Sequence, residues 1–191
     1  MLKLMNKKQL SLELKNIKRF AIHNKKLIPN NKINLKSMRL NELYQELYQL
    51  VIFGFANASI VMNSIFLETL LKEILFVKDE YDYKTPLDFG GALNKCEKYL
   101  TKKQYADLKN IKEFIRNPYQ HHNIRQLTGG VKTKGVKLNV RTVEISEYRD
   151  IDSDELRPLE VIGKIKFDAQ TVIPFFKFSH NISKRLSKKY L

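Results

Sequence analysis

Cysteine, acidic residues and long uninterrupted apolar runs are scarce in this sequence. A single cysteine, Cys96, excludes an intramolecular disulfide and offers no metal-ligand spacing, which is typical of a reducing intracellular compartment. The amino-terminal residues interleave lysines with leucines and form no secretory signal, so the sequence predicts a cytoplasmic protein. The most apolar stretch, residues 50–67, has Asn57 and Asn63 near its middle, which favours a buried bundle helix over a membrane span.

The scarcity of acids gives the chain a strong positive charge. Thirty-five Lys and Arg stand against twenty Asp and Glu, for a formal net charge of +15 and a pI near 9.8. Such a chain attracts polyanions, so RNA is the first partner to consider and an anionic membrane surface the second. The length of 191 residues and a hydrophobic share of 43% fit one globular domain with a proper core.

The densest charge asymmetry lies in residues 1–36, which carry ten Lys or Arg and one acid, Glu13. This region is predicted to be a basic arm with a short helix, and the loop after it contains Pro29. Its apolar anchors would be Leu10, Leu12, Leu14, Ile17 and Phe20. A solvated arm and an RNA-contacting arm remain open, and the second would use Lys7, Lys8, Lys18 and Arg19.

Residues 37–191 are predicted to form a mainly α domain, a helical bundle with a small β-hairpin before the last helix. Residues 37–77 have helical periodicity that Gly54 divides or bends, and Thr101 is a plausible N-cap of an amphipathic helix over 101–115. The β excursion covers about residues 131–167, with a bulged strand, an acidic loop and a returning strand at 159–167. Lys132 and Lys134 in this excursion are further candidates for RNA contact.

A narrow polar stripe runs along the most apolar helix. At about 100° per residue, Asn57, Ser64 and Glu68 fall on one face. A slightly exposed seam accounts for the asparagine and the serine. The carboxylate of Glu68 inside an apolar run is harder to dismiss, because burying it unpaired is costly.

The ten residues IRNPYQHHNI, at positions 115–124, place an arginine, an asparagine, a proline and two adjacent histidines close together. Asn117 is a good N-cap and Pro118 suits the first turn of a helix, so a helix break or kink is predicted here. Asn117 and His121 are four residues apart, close enough on a helix for the amide to orient the imidazole. Arg116 lies about 140° from His121 on an unbroken helix, and a kink can bring the guanidinium toward the ring.

These side chains suit chemistry on a phosphodiester. A histidine with an ordinary pKa of about 6.5 can take a proton from one oxygen and return one to another near neutral pH. Arginine keeps its charge, and its forked donors can stabilise the extra negative charge of a pentacoordinate phosphorus. On RNA the set permits attack by the ribose 2′-hydroxyl, which leaves a cyclic phosphate, and it needs neither a metal nor another cofactor.

The stretch Arg116-Asn117-x-x-x-His121 resembles the motif of the HEPN superfamily, in which an arginine, often followed by asparagine, precedes a histidine. The helix before the motif and the earlier helix that contains Glu68 resemble the two central helices of a HEPN bundle. The resemblance covers residues 40–127. It implies catalytic roles for Arg116 and His121, a supporting role for Asn117 and a polar contribution from Glu68.

The same resemblance implies an all-α bundle that dimerises, with two motifs facing one another in a composite cleft. It also implies metal-independent endoribonuclease activity, in a superfamily that includes toxins, phage-defence factors and RNA-processing enzymes. A regulatory partner such as an antitoxin would fit the toxin members. Other members bind without cutting, so a non-catalytic RNA-binding or dimerisation module is the alternative function.

Two features depart from the family pattern. Pro118 is unusual inside the motif, and Asn123 stands where toxins controlled by nucleotidylation have a tyrosine. His122 also satisfies the family spacing, so the histidine that faces Arg116 is left open. A metal site at His121 and His122 is disfavoured, because adjacent helical residues diverge by about 100°.

Overall fold

A computed structural model of the chain describes residues 7–30, 33–120, 132–139, 144–152 and 157–191. The first elements are α1 (Lys7–Leu27), α2 (Met38–Phe53), α3 (Ala56–Val77), α4 (Phe89–Lys95) and a 3-10 turn (Glu97–Tyr99). After these come α5 (Lys102–Ile111), a π-helical turn (Lys112–Arg116), α6 (Asn117–Gln120), β1 (Lys132–Asn139), β2 (Glu144–Asp152) and α7 (Arg157–Tyr190). The prediction of a mainly α protein is confirmed.

Helix α3 forms the centre of the core and packs against α2, α4 and α7. Its apolar side chains cover most of its circumference, as expected for a helix that neighbours surround on several sides. Seven of them are at most 1% exposed: Ile60, Phe66, Leu67, Leu70, Leu71, Ile74 and Leu75. Among the described residues, no helix combines the length and the hydrophobicity needed to cross a bilayer.

Gly54 separates α2 from α3, as the sequence predicts. It adopts a left-handed conformation with φ of 81°, which favours glycine because a side chain there is strained. The amide of Asn24 on α1 donates hydrogen bonds to the carbonyl oxygens of Val51 and Ile52, at 2.8 and 3.2 Å. Carbonyls at the end of α2 that have no partner within the helix are thereby satisfied, and α1 is joined to α2.

Helix α1 is anchored differently from the prediction. Leu12 and Leu14, expected to hold it, are 60% and 58% exposed, so that part of the prediction is wrong, whereas Phe20 approaches Gly54 at the end of α2. Asn24 and the buried Ile28, just beyond the helix end, lie on the side that meets α2. Leucines in a basic helix can lie on its buried face or on its exposed face. The position of α2 decides which face of α1 is buried.

The β excursion consists of two antiparallel strands, β1 and β2, with a register shift between Lys137 and Leu138. The returning strand predicted at residues 159–167 is wrong, because these residues belong to α7. The predicted acidic loop is likewise wrong for residues 147–152, which form part of β2. Residues 159–167 alternate apolar and polar side chains over too short a span to separate strand from helix, and continuity with the long amphipathic α7 settles it.

A cluster of aromatic rings joins α7 to α2 in the core. Phe176 is fully buried, and its ring centroid lies 5.7 Å from Tyr44 and 6.0 Å from Tyr48. Next to it, the Tyr44 hydroxyl and the Nδ1 atom of His180 form a hydrogen bond of 2.7 Å. Burial, with the nearby charge of Lys184, lowers the pKa of His180, which favours its neutral imidazole.

Cys96 packs as a small apolar residue in the core. Its side chain is fully buried, and the Sγ atom lies 3.4 Å from the carbonyl oxygen of Leu71. Burial raises the pKa of the thiol to about 12, with a smaller contribution from Glu80. A thiol with such a pKa stays protonated near neutral pH, which makes it a poor nucleophile.

Candidate functional site

The segment that leads into the motif is fixed by a capping box. The Thr101 hydroxyl accepts a hydrogen bond from the Gln104 amide, and the Gln104 side chain accepts one from the Thr101 amide. The predicted N-cap at Thr101 is therefore confirmed. From this start α5 runs into the π-helical turn and then into α6, so Arg116 lies in a continuous helical path.

A break or kink is predicted at Asn117; the helix does not break there, so the predicted N-cap is wrong, but an irregular π-helical turn lies directly before it. Asn117 has helical φ and ψ of −63° and −46°, and its amide bonds to the carbonyl of Lys112, five residues back. Pro118, which is buried, lacks an amide hydrogen, and its ring would crowd the carbonyl of Phe114 in a regular α-helix. Widening the preceding turn into a π-helix accommodates the proline without ending the helix.

The carboxylate of Glu68 on α3 forms ion pairs with two cations, one at each oxygen. Arg116 Nη2 lies 3.1 Å from Glu68 Oε2, and Lys72 Nζ lies 2.7 Å from Glu68 Oε1. All three side chains are mostly buried, with 18% exposure for Arg116 and Lys72 and 20% for Glu68. We call these three residues, with Asn117, the Glu68 cluster. Poor solvation makes its charge interactions stronger than those of exposed ion pairs.

The guanidinium of Arg116 is held on two further sides. Its Nη1 donates to the Asn117 side-chain oxygen at 3.3 Å, and its Cζ lies 5.8 Å from the ring centre of Phe89 on α4. A guanidinium over an aromatic ring gains from the cation–π interaction. Arg116 is thus oriented by α3, α4 and its own chain neighbour, which is the kind of fixed placement that a phosphate-binding arginine needs.

The structure brings together three of the predicted catalytic residues, Glu68, Arg116 and Asn117. The other two, His121 and His122, lie outside the described residues. The residues of the predicted polar stripe on α3 lie in different environments. Asn57 is exposed, whereas Ser64 is 6% exposed and donates a hydrogen bond to the carbonyl oxygen of Ile60.

The predicted RNA-contacting residues occupy two separate elements. Lys18 and Arg19 are exposed on α1, and Lys7 and Lys8 belong to its first turn. Lys132 and Lys134 belong to β1, where the strand register sets them opposite Asp152 and Asp150 of β2. Within the described part of the chain, no group of three or more His, Cys, Asp or Glu residues is arranged to hold a metal ion.

Two features of this region escaped the sequence reasoning. Lys72 stands four residues after Glu68, a spacing typical of helical ion pairs that could have revealed it. Tyr119, directly after Pro118, donates a hydrogen bond to Asp168 Oδ1 on α7. The second contact joins residues 49 apart, and no spacing rule anticipates it. This hydrogen bond connects the motif segment to α7.

Asp168 is only 5% exposed, and burial raises its pKa to about 6. The ordinary value is 3.8, so the folded protein holds this proton more tightly than the unfolded chain does. Protonation of Asp168 therefore stabilises the folded protein fully below about pH 4. This contribution to the free energy of unfolding is lost as the pH rises through about 6.

Asp168→Asn is expected to remove that pH dependence, because an amide does not ionise. The free energy of unfolding of the variant, relative to wild type, should rise between about pH 4 and about pH 7. Urea unfolding at steps of pH across this window measures the difference. A difference that stays constant over the window would contradict the assigned protonation of Asp168.

Comparison with known proteins gives no match for this chain, whether to family models, to curated proteins or to solved structures.

Proposed function

We propose that the protein is a metal-independent endoribonuclease of HEPN type that acts on RNA as a homodimer. The observation that carries the proposal is the contact between Arg116 and Glu68, at 3.1 Å across 48 residues of sequence. The resemblance implied a role for both residues, and their contact gives the arginine a fixed orientation. The net charge of +15 supports an anionic substrate.

In the proposed reaction a motif histidine, His121 or His122, takes the proton from a ribose 2′-hydroxyl. The 2′-oxygen then forms a bond to the adjacent phosphorus, and the bond from phosphorus to the 5′-oxygen breaks. A proton returned by a histidine of the dimeric site or by water neutralises the leaving 5′-oxygen. Arg116 stabilises the additional negative charge on the phosphoryl oxygens. The products carry a 2′,3′-cyclic phosphate and a 5′-hydroxyl.

The test is cleavage of a single-stranded RNA in EDTA by the purified protein. Wild type should release fragments that end in cyclic phosphate, and the fragments should be absent when the RNA carries 2′-O-methyl groups, which remove the nucleophile. His121→Ala and His122→Ala, assayed side by side, should show which imidazole is needed. If the intact protein leaves RNA uncut across neutral pH, the proposed activity is wrong.

A second measurement concerns the oligomeric state. Two motifs that share a cleft require a dimer, so sedimentation at assay concentrations should give twice the chain mass of 22.5 kDa. Cleavage of RNA by a monomer would support the proposed reaction but contradict a cleft shared by two chains.

A non-catalytic RNA-binding module is the second candidate. It is favoured by the ion pair itself, because Glu68 offsets the charge of Arg116 and so weakens its attraction for phosphate. Exposed cations on α1, such as Lys18 and Arg19, would then supply the contacts to RNA. Binding of RNA that falls steeply with salt, without any cleavage, is the result that this candidate predicts.

A further inference from the structure

Lys72 is the residue of the Glu68 cluster to which the motif assigns no role. Its Nζ atom lies 2.7 Å from Glu68 Oε1, and its side chain is 18% exposed. Burying a lysine to this extent costs solvation, which the ion pair with Glu68 offsets.

The charges of the Glu68 cluster do not balance. Arg116 and Lys72 contribute two positive charges and Glu68 one negative charge, so the three groups carry a formal excess of one positive charge. Both cations contact the same carboxylate, on its two oxygens. Two cations held on the two oxygens of one carboxylate, with a net charge of +1 for the three groups, attract an anion, and a phosphodiester offers two non-bridging oxygens.

Both cations keep donors beyond the contacts described above. A lysine ammonium has three N–H donors, of which the bond to Glu68 uses one. A guanidinium has five, of which the bonds to Glu68 and Asn117 use two. Within the contacts between described residues, both cations therefore have further donors with which to bind a phosphate while Arg116 keeps its contacts to Glu68 and Asn117.

A third cation, Lys112, lies near the start of α4. A Cβ atom added at Gly90 would stand 2.7 Å from Lys112 Nζ, so the ammonium occupies the space that a side chain at this position would fill. Gly90 directly follows Phe89, whose ring lies under Arg116. Lys112 and Arg116 thus both approach the start of α4, where Asp88 Oδ2 lies 3.6 Å from the same Cβ position and offsets the charge of Lys112.

We infer that Lys72 is a second phosphate-binding residue, which contacts the phosphodiester of RNA beside Arg116. The inference deepens the proposed function and rests on it in one respect: the anion is taken to be an RNA phosphate. Lys72 touches the substrate in the ground state as well as during the reaction. Its loss should therefore weaken binding and raise KM more than it lowers kcat.

The experiment compares Lys72→Gln with Lys72→Arg and with Lys78→Gln. The last variant is the matched control, because it removes the same charge at the exposed end of α3. Binding is measured with a labelled 2′-O-methyl RNA, which cannot be cleaved, over a series of salt concentrations. Cleavage of unmodified RNA in EDTA gives kcat and KM for the same proteins, and thermal unfolding shows that each variant is folded.

We expect Lys72→Gln to bind the uncleavable RNA about tenfold more weakly at low salt. The slope of log K against log salt should become shallower by about 0.7, the value for one phosphate contact to a single strand. Lys72→Arg should keep the wild-type slope, and Lys78→Gln should keep it too. A purely structural role of Lys72 would change the thermal unfolding but not this slope.

The inference and the proposed function can fail separately. If wild type cleaves RNA and Lys72→Gln matches it in KM and in salt slope, the role of Lys72 is wrong and the nuclease stands. If wild type binds RNA without cutting it, and Lys72→Gln still makes the slope shallower, the nuclease is wrong and the phosphate contact stands. Absence of RNA binding by wild type overturns both.

Discussion

If the proposed reaction is correct, replacing Arg116 with alanine is expected to lower the rate of RNA cleavage by about a hundredfold to a thousandfold, the usual cost of removing a donor that stabilises a developing oxyanion. The guanidinium is held by Glu68 at 3.1 Å and by Asn117 at 3.3 Å, so its orientation is fixed before the substrate binds. An oriented donor acts on the transition state without further reorganisation.

Single-turnover cleavage in EDTA measures this effect, and Arg116→Lys is the matched variant. Lysine keeps the charge but lacks the fork that reaches the carboxylate and a phosphate at once, so we expect an intermediate rate. Thermal unfolding must accompany the assay, because alanine leaves Glu68 with Lys72 alone as its cationic partner in the cluster. A folded Arg116→Ala protein that cleaves at the wild-type rate would contradict the role of the arginine.

The second large effect concerns stability. Phe176→Ala is expected to lower the free energy of unfolding by about 3–5 kcal/mol, the range for deleting a buried phenyl ring. Phe176 is fully buried on α7, and its ring lies within 6.4 Å of those of Tyr44, Tyr48 and His180. Its removal leaves a cavity between α7 and α2 that the surrounding rings fill only in part.

Urea or thermal unfolding, followed by circular dichroism, measures this loss. Phe114→Ala is the matched control, because Phe114 is 60% exposed and the same atoms are removed from a position mostly in contact with water. Its effect should stay within about 0.5 kcal/mol. Equal losses at the two positions would show that α7 does not pack on the bundle as described.

Local features of the sequence predicted much of the helical framework. Gly54 marked the boundary between α2 and α3, because a left-handed residue at a helix end favours glycine. Thr101 marked the start of α5 through its capping box with Gln104. Each signal lies within a few residues of its effect, so no tertiary information was needed.

Two local predictions failed where one sequence pattern fits two backbone conformations. Asn117 and Pro118 look like a helix start, but a π-helical turn carries the helix past the proline. Residues 159–167 look like a strand, but they continue into the long helix α7. In both cases the pattern fits two backbone conformations, and the adjoining chain selects between them: a π-helical turn accommodates Pro118, and residues 159–167 continue into α7.

At the candidate site, some features follow from the sequence and others depend on the tertiary structure. The sequence by itself determined the charge of the chain, the residue types of the motif and the apolar helix that carries Glu68. Only the tertiary structure decided that Arg116 meets this carboxylate, whereas the pair of Lys72 with Glu68 follows from their spacing on one helix. The physical reason is distance along the chain: 48 residues separate Glu68 from Arg116, and their contact depends on how α3, α4 and the π-helical turn pack together.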